Sequence, residues 1–188
     1  MTKIKNTAAG NSRYRFETAL QEMENNPDVC KMKEFSQHNG TSTFVHCKNV
    51  AIYSYYLSQK LGWDIDEEAL VKGAMLHDYY LYNTSEMTMS DYQHGTQHPQ
   101  LALDNAQKRF NLTRKEKNII RSHMWPLTLT HVPESREALL VSVADKYCAV
   151  REMSGEHGTV DPGFKSPWIR SFAARKFNRL MKKLTPKE

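Results

Sequence analysis

A histidine and an aspartate stand side by side at the end of the apolar run Ala74-Met75-Leu76-His77-Asp78. One offers an imidazole nitrogen and the other a hard carboxylate oxygen, and both bind divalent first-row metals. Two adjacent residues cannot close a coordination sphere, so partners are needed elsewhere. His46 lies on a helical stripe with Val50, Tyr53 and Leu57, at i, i+4, i+7 and i+11, and so faces inward. Asp145 ends the run Leu139-Leu140-Val141-Ser142-Val143-Ala144. A carboxylate in such a run is costly unless it is paired, hydrogen-bonded or metal-bound. Two histidines and two aspartates give a mixed N/O set suited to Mn, Fe, Co, Ni or Zn. No thiolate cluster argues for a structural zinc site, and neither a GxSxG elbow nor a P-loop is present. His98 and His123 fall between the two groups; His123 shares an apolar face with Ile119 and Ile120, where a bare imidazole needs a partner.

Helices must carry these residues, because no β-type alternation is visible. Residues 1–11 have little apolar content and are expected to be mobile. Ser12 is placed as the cap of a first helix that ends near Asn25-Asn26-Pro27, and a second helical piece covers 28–35. Residues 36–42 form a turn-rich loop containing His38. Thr43 opens a long helix to Leu61, stopped by Gly62. Asp64 or Asp66 caps the next, which carries Ala69, Leu70 and His77; Gly73 and Ala74 are small enough for a neighbouring helix to approach. Residues 79–97 read as a loop or broken helix, a candidate binding loop with Tyr79, Tyr80 and Tyr82 beside the His-Asp pair. Pro99 suits the first turn of a helix reaching Phe110. Thr113 and Glu116 form a capping box for a helix running through Ile119, Ile120 and His123 to Trp125-Pro126. Residues 126–134 form a loop with His131 exposed, and Ser135 caps a helix to Arg151. Gly155 to Pro167 is a linker with His157 solvated, and an amphipathic helix over 167–184 follows. The expected organisation is one all-α domain over 1–188, with a core at 43–151 and N-terminal helices at 12–35.

The 188 residues suffice for one sizeable core, and the 39% hydrophobic and 25% charged content is that of a globular chain. No stretch approaches the roughly 20 apolar residues of a membrane span, and the start lacks the apolar core of a signal peptide, so the expected location is cytoplasmic. Cys30, Cys47 and Cys148 are odd in number and form no CxxC pair; they read as small core residues. The net charge of +5 comes from the end of the chain, where eight lysines and arginines from Lys165 onward face only Glu188. The basic helix reads as a solvated face, and nucleic acid is not an expected partner.

The order His46, His77-Asp78, Asp145 resembles the defining motif of the HD superfamily of metal-dependent phosphohydrolases. The Ala144-Asp145-Lys146 context is similar to that family's last motif. The resemblance implies an all-α, HD-domain-like helical bundle in which His46, His77, Asp78 and Asp145 bind a divalent metal (Mn, Fe, Co, Ni or Zn). It implies hydrolysis of a nucleotide or other small phosphate ester by a metal-activated water, with Asp78 as the catalytic residue. HD groups with binuclear sites carry further histidines between the HD pair and the last aspartate, one often in a His-Pro context. By that likeness His98 and His123 would bind a second ion, with Asp78 bridging. Lys146, His38 and His94 are the residues expected to bind substrate. The chain departs from the HD-GYP group, which has Gly-Lys after the pair where Tyr79-Tyr80 stand here, and from HD 5′-nucleotidases, which have a nearby Glu. It is more similar to small bacterial HD-domain hydrolases. A di-iron HD-fold oxygenase and a non-catalytic, metal-dependent nucleotide-binding module are the alternatives.

Overall fold

The computed structural model describes residues 8–37, 40–83, 88 and 90–156. Among these the architecture is all-α, and the nearest thing to a strand is a single antiparallel bridge between Ser36 and Ser42. His38, His157 and the expected 167–184 helix lie outside the described residues.

Helix α1 spans Ala8–Asn25. It therefore begins before the expected cap at Ser12, and residues 8–11, expected to be mobile, are helical. Asn26 caps α2 (Pro27–Cys30) by accepting from the Asp28 and Val29 amides, with Pro27 at the first position, where its missing N–H costs nothing. A 3-10 turn, Lys31–Glu34, completes this segment.

Helix α3 (Thr43–Leu61) is capped by Ser42, whose Oγ accepts from Val45 N. It ends at Gly62 with φ +65°, the left-handed conformation that glycine adopts without Cβ strain. His46, Val50, Tyr53 and Leu57 are all buried, as the stripe predicts. Of the two proposed caps, Asp66 is the one used. It caps α4 (Glu67–Leu76), which stops just before His77 rather than including it.

Helix α5 (Asp91–Gln107) corrects the sequence reading. Ser90 Oγ accepts from Gln93 N, and the Gln93 side chain accepts from Ser90 N, so an S-x-x-Q capping box starts the helix eight residues before Pro99. Pro99 lies inside it and His98 does not begin a helix. A proline inside a helix costs roughly 3 kcal/mol, which is why propensity places it at a start. Here the cap and the packing outweigh that cost. One carbonyl, that of Gly95, loses its usual helical donor. Gly95 itself packs closely: a Cβ there would stand 2.9 Å from Leu127 Cδ2. The helix also stops at Gln107, short of Phe110.

The capping box at Thr113 and Glu116 is formed as expected and opens α6 (Arg114–Ser122), which ends one residue before His123. Ser135 caps α7 (Arg136–Met153). His131, expected to be exposed, is half-buried and bonds the Thr130 hydroxyl at 3.1 Å. Cys47 and Cys148 are buried, while Cys30 is only partly so, with its thiol on the Glu24 carbonyl.

Helix α3 packs chiefly on α7 and α4, α1 lies on α4, and α6 sits against α4, α5 and α7. The core joins Val50 and Ala51 of α3, Leu70, Val71 and Met75 of α4, Ile119 and Ile120 of α6, and Leu140 and Val141 of α7. Each such large side chain, taken fully from water, contributes about 1.5–3 kcal/mol before entropy is counted. No described helix is long and apolar enough to cross a membrane.

Candidate metal centre

Five elements meet at the His-Asp pair. Helix α3 supplies His46, the turn after α4 supplies His77 and Asp78, α5 supplies His98, the end of α6 supplies His123, and α7 supplies Asp145. All six are buried. One potential ligand atom each from His46, His77, Asp78 and Asp145 lie within 4.8 Å of one another, and the same holds for Asp78, His98 and His123. The six sequence-assigned ligand positions thus converge.

Asp78 belongs to both groups because its two oxygens face opposite ways. Oδ2 lies 3.4 Å from His77 Nε2 and 3.8 Å from His46 Nε2. Oδ1 lies 3.2 Å from His98 Nε2 and 3.5 Å from His123 Nε2. Asp145 Oδ1 adds contacts of 3.2 Å to His46 Nε2 and 3.6 Å to His77 Nε2. Ligands held about 2.0–2.2 Å from one ion stand roughly 3–3.6 Å from each other, so these spacings suit a shared cation.

The ring orientations have a local cause. His77 Nδ1 bonds the Ala74 carbonyl at 2.7 Å, and His123 Nδ1 bonds the Ile120 carbonyl at 2.7 Å. Both histidines sit just past a helix end and bond the carbonyl three residues back, which the shortened helix leaves open. His98 Nδ1 bonds the His94 carbonyl at 2.8 Å, four residues back. A carbonyl only accepts, so each Nδ1 carries a proton and each Nε2 turns a lone pair inward. His98 Nε2 and His123 Nε2 are consequently 2.7 Å apart with lone pairs facing. A proton or a cation between them relieves that repulsion; as ligands of one ion they would part slightly. The buried atoms His77 Nε2 and Asp78 Oδ1 make no hydrogen bond, although histidine nitrogens or carboxylate oxygens surround them. Buried polar atoms are normally satisfied, and one cation in each ligand group would satisfy these two, His77 Nε2 on one side of Asp78 and Oδ1 on the other.

His46 is held differently. Its Nδ1 donates to the carboxylate of Glu152, 2.9 Å away and buried two helical turns beyond Asp145 on α7. Sequence reasoning missed Glu152. Its signal was the spacing of seven from Asp145, which puts both carboxylates on one face of α7. A carboxylate behind a ligating imidazole fixes its tautomer and raises its basicity. We expect Glu152→Gln to weaken divalent-metal affinity by about 10- to 100-fold with the fold retained, as read by competition against a chelator. Unchanged affinity would remove Glu152 from the centre.

Electrostatics follow the same layout. Burial works against charge on His46, yet the hydrogen bonds to Asp145 and Glu152 outweigh it and raise its pKa to about 10. His77 is likewise raised, burial being overcome by the charge of Asp78. Burial would lift both aspartates, but the histidines around them hold Asp78 and Asp145 well below the usual carboxylate range. Burial, joined by repulsion from the neighbouring His77, lowers His123 to about 3, leaving it neutral. Protons on His46 and His77 compete with a cation for the same lone pairs, so metal loading releases them.

Around the centre, Gln37 Nε2 donates to Asp78 Oδ2 at 2.5 Å and also to the Tyr80 hydroxyl. Gln37 is a further residue that sequence reasoning did not assign, whereas Tyr80 belongs to the tyrosine run expected to form a binding loop beside the pair. Tyr79 belongs to the core cover and packs edge-on against Phe110, whereas Tyr80 stands edge-on to His98. His94 stacks on His98 with centroids 4.5 Å apart, and its Nδ1 meets the Tyr82 hydroxyl at 3.0 Å. Lys146 is part-exposed, with Nζ 3.7 Å from Asp145 Oδ2. That ammonium donates to the carbonyls of His123 and Ser142, so much of its donor capacity braces the end of α6.

A family model described as an HD domain matches residues 43–150. Comparison with curated proteins and with solved structures gives no match. The matched stretch runs from the first residue of α3, which carries His46, to a point just past Asp145 on α7, and covers more than half of the sequence: the chain belongs to the HD-domain family.

Proposed function

We propose that the protein is a metal-dependent phosphohydrolase acting on a nucleotide or another small phosphate ester. The observation that carries this reading is the division of Asp78, with one oxygen on the His46–His77–Asp145 side and the other on the His98–His123 side. A carboxylate so placed suits two ions that share it. The family is made up mostly of metal-dependent hydrolases, which supports the same class of activity. A divalent ion in such a site polarises a phosphoryl oxygen and lowers the pKa of a bound water to roughly 7. The chain's own part is to hold six ligand residues in place: Asp78 would offer one oxygen to each side, Glu152 and three backbone carbonyls orient the histidines, and the buried setting limits water. Lys146 and His94, part-exposed at the rim, are the residues proposed to meet substrate.

The test is elemental analysis of purified protein, combined with a phosphate-release screen over nucleotides and simple phosphate esters. Metal-dependent phosphate release is the expected result. His123→Ala should lower metal stoichiometry from two to one; a count of one in both proteins would leave a mononuclear hydrolase, and two in both would remove His123 from the ligand set. A second reading, a di-iron oxygenase, draws on the two histidine nitrogens beside Asp78 Oδ1, a nitrogen-rich set that suits iron. Bound iron with no phosphate released from any ester would favour it.

A further inference from the structure

We propose that the Tyr80 hydroxyl, aimed by Gln37, donates a hydrogen bond to a non-bridging oxygen of the phosphoryl group bound at this centre. The inference rests on the phosphohydrolase reading. Gln37 lies between the 3-10 turn and α3, in a loop fastened at several points. Ser36 N donates to Asn83 Oδ1 at 3.0 Å, and Gln37 N donates to the Thr41 carbonyl at 2.8 Å. The Gln37 residue is only 8% exposed, and its Oε1 is buried with no hydrogen-bond partner. An interior amide is seldom left that way unless a ligand or water completes it.

The orientation of this amide follows from its neighbours. Turning it over would set Oε1 against the Asp78 carboxylate, two acceptors 2.5 Å apart. The nitrogen therefore faces Asp78, and its two protons are used on Asp78 Oδ2 and on the Tyr80 oxygen. Tyr80 thus accepts at its oxygen and keeps its own proton to give. No described residue accepts it. The ring is confined by edge-on contacts to His94 and His98 and by Tyr82, with centroids 5.5, 5.7 and 4.5 Å away. Its hydroxyl shares one amide nitrogen with a proposed metal ligand, so it stands beside the place where a phosphoryl oxygen would lie. Tyr80 would touch substrate; Gln37 acts through Tyr80 and is a positioning residue.

The experiment uses the full chain loaded with Mn²⁺, with inorganic phosphate as probe, and measures phosphate affinity by calorimetry and metal content by elemental analysis. Tyr80→Phe should weaken phosphate binding by about tenfold to a hundredfold, the range for a hydrogen bond to a charged group, with metal content unchanged. Gln37→Leu should weaken it to a similar degree, and the double variant should be no worse than either single one. Normal phosphate affinity in Tyr80→Phe overturns the proposal, and additive losses overturn the role given to Gln37. If Tyr80→Phe does not fold, Gln37→Leu decides: normal affinity there overturns the proposal, and a loss at full metal content supports it. Metal-loaded wild type that binds no phosphate overturns this inference together with the phosphohydrolase reading. Unaffected variants of a wild type that does bind overturn this inference alone.

Discussion

Asp78→Ala is expected to abolish metal-dependent activity, by about three orders of magnitude or more, while helical content stays near wild type. Asp78 supplies an oxygen to each of the two ligand groups, so its loss strips both. The remaining ligands are then two histidines and an aspartate on one side, and two histidines with facing lone pairs on the other. The fold should survive because Asp78 sits in a turn after α4 and carries none of that helix's backbone bonds. The closest protein donor to lose its acceptor is Gln37 Nε2, which still has Tyr80. Metal content and circular dichroism on the same sample are the measurements. Full activity with normal metal content would refute the role of Asp78. Asp78→Asn sharpens the test, since it keeps the shape and removes the charge.

Gly73→Ala is expected to destabilise the protein by about 1–3 kcal/mol, although alanine is the better helix former. The intrinsic gain on replacing a mid-helix glycine by alanine is about 1 kcal/mol. Against it stands the packing of α4 on α6. A Cβ at Gly73 would meet Ile119 Cγ2 at 2.5 Å, and Ile119 Cβ and Cδ1 at 2.8 Å each. Ile119 is fully buried, so it cannot swing into solvent to make room. Helix α6 would have to shift, and with it His123 at its end. The clash should therefore also weaken metal binding. Ile119→Ala removes Cγ2 and Cδ1, so the double variant should be more stable than the sum of the single losses predicts. Chemical denaturation of the four proteins in that cycle measures the coupling. An additive result would mean the contact is not what limits this position.

Sequence alone reached a large part of this protein, for reasons that are local. Gly62 after Leu61, the Thr113–Glu116 box and Ser135 are short-range devices, and each ends or begins its helix where the pattern says. The stripe of His46 with Val50, Tyr53 and Leu57 is also local, and it turned His46 inward without any knowledge of α7. Buried position made a polar residue conspicuous, and so His46, His77, Asp78, His123 and Asp145 stood out from their apolar neighbours, whereas His98 was named by family resemblance from its His-Pro context. Gly73 declared a close approach, though not which residue would approach.

Tertiary structure decided what no local pattern encodes. Pro99 marked a helix start by propensity, yet α5 begins at Asp91 behind the Ser90–Gln93 capping box and carries the proline inside, because that cap and the packing together outweigh one missing hydrogen bond. Glu152 shares a buried face of α7 with Asp145 and Cys148, but neither it nor Gln37 reveals its partner locally; they matter because α7 and the loop before α3 fold onto the same centre, 106 residues from His46 in one case and 41 from Asp78 in the other. Which oxygen of Asp78 faces which histidines depends on the relative placement of α3, α5, α6 and α7. Residue type and periodicity fix the direction in which a side chain leaves its own helix. Which atoms it then meets is settled by how the helices pack.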